Sequence, residues 1–280
     1  MDLDPFKRMC ASLASIADNA SEMSKRIALL AKPMLEFQNR IAELCKPIQI
    51  NFKQLEKVLQ GFSAYSQALR ANDILIKHQF VFTETLNTSV SNAILNSKSP
   101  EKWIEDYYFG NNEQCFQELL NHCKVNLKTK SKKHLMDECE QAYLNQHYHL
   151  ACVGLFSLAD GLLTEFTENN VTSVSKRLKK LYDTMIVDKP ASNHDVRLFF
   201  ILDAMFYWDE ENDAKEIKCR PLFSFYDFNN PEPDFLNRHW IVHGRTERNF
   251  SRLDVLRILQ WIDGLFYLVN PQKNNPNEVC

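Results

Sequence analysis

The sequence predicts an all-α protein, in which a helical bundle follows a long helical, coiled-coil-like N-terminal arm. Three observations indicate this class. Apolar residues recur at alternating steps of three and four from residue 6 to residue 48. Further apolar segments with helical spacing follow as far as residue 269. Glycine, which strand-and-turn architectures use heavily, occurs only 6 times in 280 residues.

The N-terminal arm begins with Asp4 as a capping residue and Pro5 at the first helical position. Pro33 and Pro47 interrupt the apolar seam, so we expect two or three helices or one kinked helix. The arm either packs on the rest of the chain or serves oligomerisation and partner binding, and the pattern leaves both open. The seam comprises Phe6, Met9, Leu13, Ile16, Ala20, Met23, Ile27, Leu30, Met34, Phe37, Ile41, Leu44 and Ile48.

A second helical domain is predicted to begin near residue 100. Asn96 to Lys98 are typical of a loop, and Ser99, Pro100 and Glu101 then form a helix start with a capping serine and an early proline. The predicted domains are therefore an arm over residues 1–99 and a helical domain over residues 100–280.

The second domain is expected to hold a long helix from Leu135 to Phe166, apolar around most of its circumference after Leu150 and therefore central. A short helix is expected to end at Gly244, a residue suited to a helix C-terminus. The other predicted elements are a helix over 172–186 with Lys176, Arg177, Lys179 and Lys180 outside, a helix over 194–208, a loop over 209–216, irregular structure over 221–234, the short helix itself over 234–243, and a last helix over 250–269.

Charge and cysteine usage restrict the function classes. The net charge is −3, which is unlike a protein that binds duplex DNA tightly through charge. The eight cysteines form no C-x-x-C pair, and neither a signal peptide nor a long apolar run is evident. We therefore expect a cytoplasmic protein with reduced thiols, no membrane association and no cofactor.

The residues from Asn237 to Gly244 carry the chemistry. Asn237-Arg238-His239-Trp240-Ile241-Val242-His243-Gly244 places an amide, a guanidinium and two imidazoles within eight positions. Arginine stabilises an anionic phosphate, and histidine gives and takes protons near neutral pH. These groups suffice for RNA cleavage by its own 2′-hydroxyl. At a helix end, the dipole favours the protonated form of His243, which suits an acid.

A metal interpretation is weaker. His239 and His243 share a helix face at a spacing of four, but the sequence places no third ligand beside them. His122, Cys123, His134 and Cys139 follow no zinc-binding spacing, and the lysine-rich segment 124–133 is typical of a solvated loop or helix end. We therefore expect no metal site.

The segment resembles the HEPN superfamily (higher eukaryotes and prokaryotes nucleotide-binding), whose motif is Arg-polar-x-x-x-His. The resemblance extends over roughly residues 135–270 and includes the segment ending Ala159-Asp160-Gly161-Leu162. It implies a helical bundle that dimerises and builds one composite site from two chains. It assigns Arg238 and His243 as the catalytic pair and His239 as the polar residue after the arginine. Asp160, where glutamate is more usual, would orient the site, with Asn237 in support.

The resemblance implies a metal-independent endoribonuclease that acts on RNA in bacterial antiviral defence (abortive infection) or in a toxin–antitoxin system. A non-catalytic dimeric scaffold is the alternative from another functional class. A third interpretation is a sensor subunit, whose N-terminal arm detects an antitoxin or another partner and relays it to the site.

Overall fold

The computed structural model of the chain describes residues 52–167, 176–178, 180–181, 196–209 and 216–269. The coiled-coil-like seam predicted over residues 6–48 lies outside these ranges. The described chain is predominantly helical, as predicted. Its α-helices are α1 (Phe52–Lys77), α2 (Ser91–Asn96), α3 (Pro100–Phe109), α4 (Gln114–Asn126), α5 (Lys130–Leu144), α6 (Tyr148–Thr167), α7 (Val196–Met205), α8 (Arg238–Val242) and α9 (Arg252–Val269).

A short antiparallel hairpin interrupts the helices. Strand β1 (Phe206–Asp209) pairs with strand β2 (Glu216–Cys219), with Phe206 opposite Cys219. The predicted helix over 194–208 is therefore wrong at its C-terminal end, and Asp209 and Glu216, the two ends of the loop predicted over 209–216, belong to the strands. Aromatic residues favour extended backbone, and the partner strand supplies their hydrogen bonds, which explains the difference.

The long helix predicted from Leu135 to Phe166 is divided into α5 and α6. Gln146 adopts a left-handed conformation with φ 60°. The amide of Gln146 donates to Tyr143 O at 2.8 Å, and that of His147 donates to Ala142 O at 2.8 Å. These two bonds satisfy carbonyls at the end of α5 and form a Schellman motif. This motif usually has glycine at the left-handed position, so the sequence, with glutamine there, did not indicate a helix end.

Helix α6 is the central helix, as predicted. It packs against α5, α9 and the short α8. By length and composition it is apolar enough to cross a membrane, but the neighbouring helices cover much of its apolar surface. Its buried residues are Ala151, Cys152, Leu155, Phe156, Leu158, Ala159, Leu162, Leu163 and Thr167.

One hydrophobic core extends across the boundary predicted at residue 99. Leu75, Phe80 and Phe82 precede that position and are fully buried in the same cluster as residues of α3 to α9. Helix α3 does begin at Pro100, as the sequence indicated, with Ser99 at the N-cap position; the Ser99 side chain makes no capping hydrogen bond. The helix start was therefore predicted correctly, although it does not coincide with a break in the core.

Helix α9 is buried along nearly its whole length, and polar side chains occur on it at every third position. Asp254, Arg257, Gln260 and Asp263 are each at most 8% exposed. Buried polar groups must find hydrogen-bond partners inside the protein. The Asp263 carboxylate hydrogen-bonds to His122 Nδ1 at 2.6 Å and accepts from Arg197 Nη2 at 2.9 Å. It therefore connects α4 and α7 to α9.

We predict that Gly154→Ala destabilises the fold by about 1–3 kcal/mol, because a methyl group there would overlap Cys139 Sγ on α5. Urea unfolding measures this effect. Cys139→Ala in the same chain should restore part of the loss. Gly161→Ala, on the same helix but with only Lys132 Cε at 3.5 Å, is the matched control and should be neutral or stabilising. Equal effects of the two glycine substitutions would contradict the close packing.

We also predict that the His122–Asp263 pair makes stability depend on pH. The hydrogen bond to Asp263 raises the pKa of His122 above its ordinary value of 6.5. The stabilisation is therefore complete below about pH 6.5 and is lost as the pH rises through the folded-state pKa. Urea unfolding from pH 6 to pH 9 should show a smaller decline for His122→Gln than for the wild type. Identical slopes would refute the linkage, and the exposed His134→Gln serves as the control.

Candidate functional site

Helix α8 presents the predicted motif at the surface. It begins at Arg238, later than the predicted start at residue 234, and Trp240 and Ile241 anchor it in the core. Gly244, with φ 65°, follows the helix in the left-handed conformation, as predicted. The Gly244 amide donates to Ile241 O at 3.1 Å, and the Arg245 amide donates to Trp240 O at 3.0 Å. These bonds fix the end of the helix, where His243 is the C-cap.

Asn237 is the N-cap of α8 and is 2% exposed. Its Oδ1 accepts from Trp240 N at 3.3 Å, while its Nδ2 donates to Pro221 O at 2.7 Å and to Ser224 O at 3.2 Å. All of these partners are backbone groups. The supporting residue of the sequence prediction therefore positions α8 and the preceding loop rather than facing the surface.

Arg238 and Asp160, two of the predicted site residues, lie close together. Arg238 Nη2 is 3.6 Å from Asp160 Oδ1 on α6. A second cation shares this carboxylate, because Arg177 Nη2 lies 2.6 Å from the same oxygen and Arg177 Nη1 donates to Asp160 O at 3.0 Å. Arg177 is 4% exposed, so its predicted place on the outer face is wrong. Two guanidinium groups around one carboxylate leave the cluster with a net positive charge.

The two histidines of the motif form a pair on the side of α8 that faces the loop of residues 221–234. The rings of His239 and His243 are 4.7 Å apart between centroids. Phe228 stacks on His239 at 4.4 Å and contacts His243 edge-on at 5.7 Å. The guanidinium of Arg245 lies 4.6 Å from the centre of the Phe228 ring.

Arg238 and His243 point to different surroundings within one chain. Arg238 faces Asp160 on α6, whereas His243 faces Phe228 on the loop. Arg238 Nε is buried and has no hydrogen-bond partner among the described residues. The cation and the exposed histidine therefore occupy adjoining parts of the surface without a direct contact.

The electrostatics of the site favour a neutral His239. Burial lowers the pKa of His239, the neighbouring His243 and Arg238 lower it further, and Asp227 opposes them. Burial also lowers the pKa of Arg238, opposed by Asp160, but a guanidinium stays charged at neutral pH. The site thus combines a fixed cation, a neutral imidazole suited to accept a proton and a second imidazole beside it.

Sequence reasoning missed several neighbours of the motif. Phe225 and Phe228 stand out in the sequence only as aromatics of an irregular segment, and Arg245 only as part of a turn. Arg177 could have been recognised from its spacing, because Leu178 and Leu181 are buried on the same helical segment. His147 and His149 do not contact the motif histidines; they line a shallow surface depression with Arg248 and Phe250.

No protein-family model, curated protein or solved structure matches the chain. Among the described residues, no group of three or more histidine, cysteine or acidic side chains is arranged to hold a metal ion. The functional argument therefore depends on the geometry of this chain itself.

We predict that His243→Ala raises the pKa of His239 towards 6.5, because His243 is one of the neighbours that lower it. NMR titration of the imidazole resonances measures this shift directly. His149→Ala is the control, since His149 stacks on Phe250 and not on the motif. An unchanged or lower pKa of His239 in His243→Ala would contradict the prediction that His243 lowers it.

Proposed function

We propose that the chain is a metal-independent endoribonuclease whose site is completed in a homodimer. The observation that carries the proposal is the arrangement around α8, where a cation held by Asp160 adjoins a pair of histidines of unequal exposure. The Arg238-to-His243 spacing, which resembles the HEPN motif, supports RNA as the substrate.

Each group has a role in the attack of a 2′-hydroxyl on the adjacent phosphorus. Neutral His239 accepts the 2′-proton as the O2′–P bond forms. Protonated His243 donates a proton to O5′ as the P–O5′ bond breaks. Arg238 offsets the charge that develops on the non-bridging oxygens. The products are a 2′,3′-cyclic phosphate and a free 5′-hydroxyl, with no net uptake of protons.

A second copy supplies what one chain lacks. Arg238 and His243 have no direct contact in one chain, so one phosphate is better served by the arginine of one copy and the histidine of the other. A two-fold axis near α8 produces such a pair of half-sites. In this proposal the protein acts in the cytoplasm in antiviral defence or as a toxin, with an antitoxin or sensor protein as partner. The role in defence or as a toxin and the antitoxin or sensor partner depend on the resemblance alone.

We predict that Arg238→Ala and His243→Ala each lower RNA cleavage in the presence of a chelator by about 100-fold or more. Gel analysis of a labelled RNA, with mapping of the 2′,3′-cyclic ends, measures this loss. Circular dichroism should show unchanged helicity. His134→Ala, an exposed histidine on α5, is the matched control and should cleave normally.

Mixing the two inactive proteins tests the composite site within the same experiment. A heterodimer of Arg238→Ala and His243→Ala chains retains one site with both groups, so random exchange should restore about a quarter of wild-type activity. No recovery in verified heterodimers would place the site within one chain. Wild-type cleavage by both variants, or an absence of cleavage by the wild type, would instead favour the non-catalytic scaffold.

A further inference from the structure

Phe225 is an exposed aromatic side chain beside the histidine pair. It is 71% exposed, and its ring centre lies 4.8 Å from that of His239 with the planes tilted by 50°. A phenylalanine gains stability from burial, so an exposed ring at this position contributes little to folding. Its contact with a motif residue calls for a functional explanation.

The backbone around Phe225 is fixed. Ser224 O accepts from the buried Asn237 Nδ2 at 3.2 Å, and Ser224 Oγ donates to Pro221 O at 3.1 Å. Asp227 closes the following turn, since its Oδ1 accepts from Asn229 N at 2.9 Å. The ring is thus presented from an ordered loop, and a ligand that stacks on it has a small ordering cost.

The surroundings of the ring fit an unpaired nucleobase. Phe228 and His239 form a stacked pair next to Phe225, and Arg245 lies over Phe228 as an exposed cation. Proteins that recognise single-stranded RNA stack its bases on aromatic and arginine side chains, whereas duplex bases are not accessible to such platforms. The net charge of −3 also argues for stacking over charge as the main source of affinity.

We propose that Phe225 and His239 form a stacking platform for an unpaired base next to the scissile phosphate, so that single-stranded RNA is the substrate class. The inference rests on the proposed function for the position of the phosphate. The stacking itself is independent of cleavage, which allows the two to be tested separately.

The test measures binding of the full-length protein to a fluorescent single-stranded 2′-O-methyl oligonucleotide, which lacks the attacking hydroxyl. Phe225→Ala should weaken binding about 10-fold or more. Phe225→Leu should do the same because it keeps the apolar volume but not the aromatic face, while Phe225→Trp should retain affinity. Leu150→Ala, which alters another exposed apolar residue, should bind like the wild type. The matching duplex should bind more weakly and respond little to Phe225.

The inference would be overturned by equal affinity of Phe225→Ala and wild type, by no binding by the wild type, or by equal binding of duplex and single strand. A loss of binding accompanied by a lower mass in sedimentation would also overturn it, because Phe225 would then contact a second copy. If the Phe225 series behaves as expected but the wild type cleaves no RNA, the platform stands and the nuclease proposal fails. Normal cleavage combined with binding that does not depend on Phe225 would support the nuclease and reject the platform.

Discussion

The fold depends on the polar side chains that helix α9 carries into the core. Asp254, Arg257, Gln260 and Asp263 follow one another at intervals of three, so successive positions turn by about 60° around the helix. Each polar group consequently faces a different neighbour. Arg257 donates to His78 O at 2.9 Å after α1, Gln260 Oε1 accepts from Val81 N at 3.0 Å, and Asp263 binds side chains of α4 and α7. A helix that was apolar on every face would allow these neighbours to slide or rotate, whereas this one specifies where each of them must lie.

The packing of helices around α9 also determines the geometry of the candidate site. Helix α9 packs against α6, and α6 in turn carries Asp160 to the surface beside α8. The short α8 has only five residues, too few to be stable alone, so its capping bonds and the burial of Trp240 hold it in place. The histidines therefore sit on a fixed support, while the aromatic loop before α8 is tied to the same support through Asn237. Preorganisation of this kind is what acid–base chemistry on a phosphate requires.

The sequence was most informative where a residue type has one strong conformational preference. Pro100 marks a helix start and Gly244 marks a helix end, and both were predicted correctly. The break before α6 was missed because Gln146, a residue without that preference, takes up the left-handed conformation. The proximity of Asp160 and Arg238 was expected only through resemblance, since no local pattern joins two residues 78 positions apart. Arg177 shows the same limit in part: its spacing relative to Leu178 and Leu181 could have indicated burial, but only the tertiary structure reveals the carboxylate that it binds.

The contact between Cys139 and Gly154 gives the chain a chemical reporter of its own motions. Burial raises the pKa of the Cys139 thiol to about 12, so the reactive thiolate is scarce while α5 and α6 are closed. Any reagent that adds atoms to this sulphur must wait until the two helices separate. The rate at which Cys139 is modified consequently reports how often α5 and α6 separate. The half-exposed Cys115 on α4 provides an internal reference for reagent access. Helix α6 also bears Asp160, so the same modification rate indicates how often the helix that supports the candidate site separates from α5.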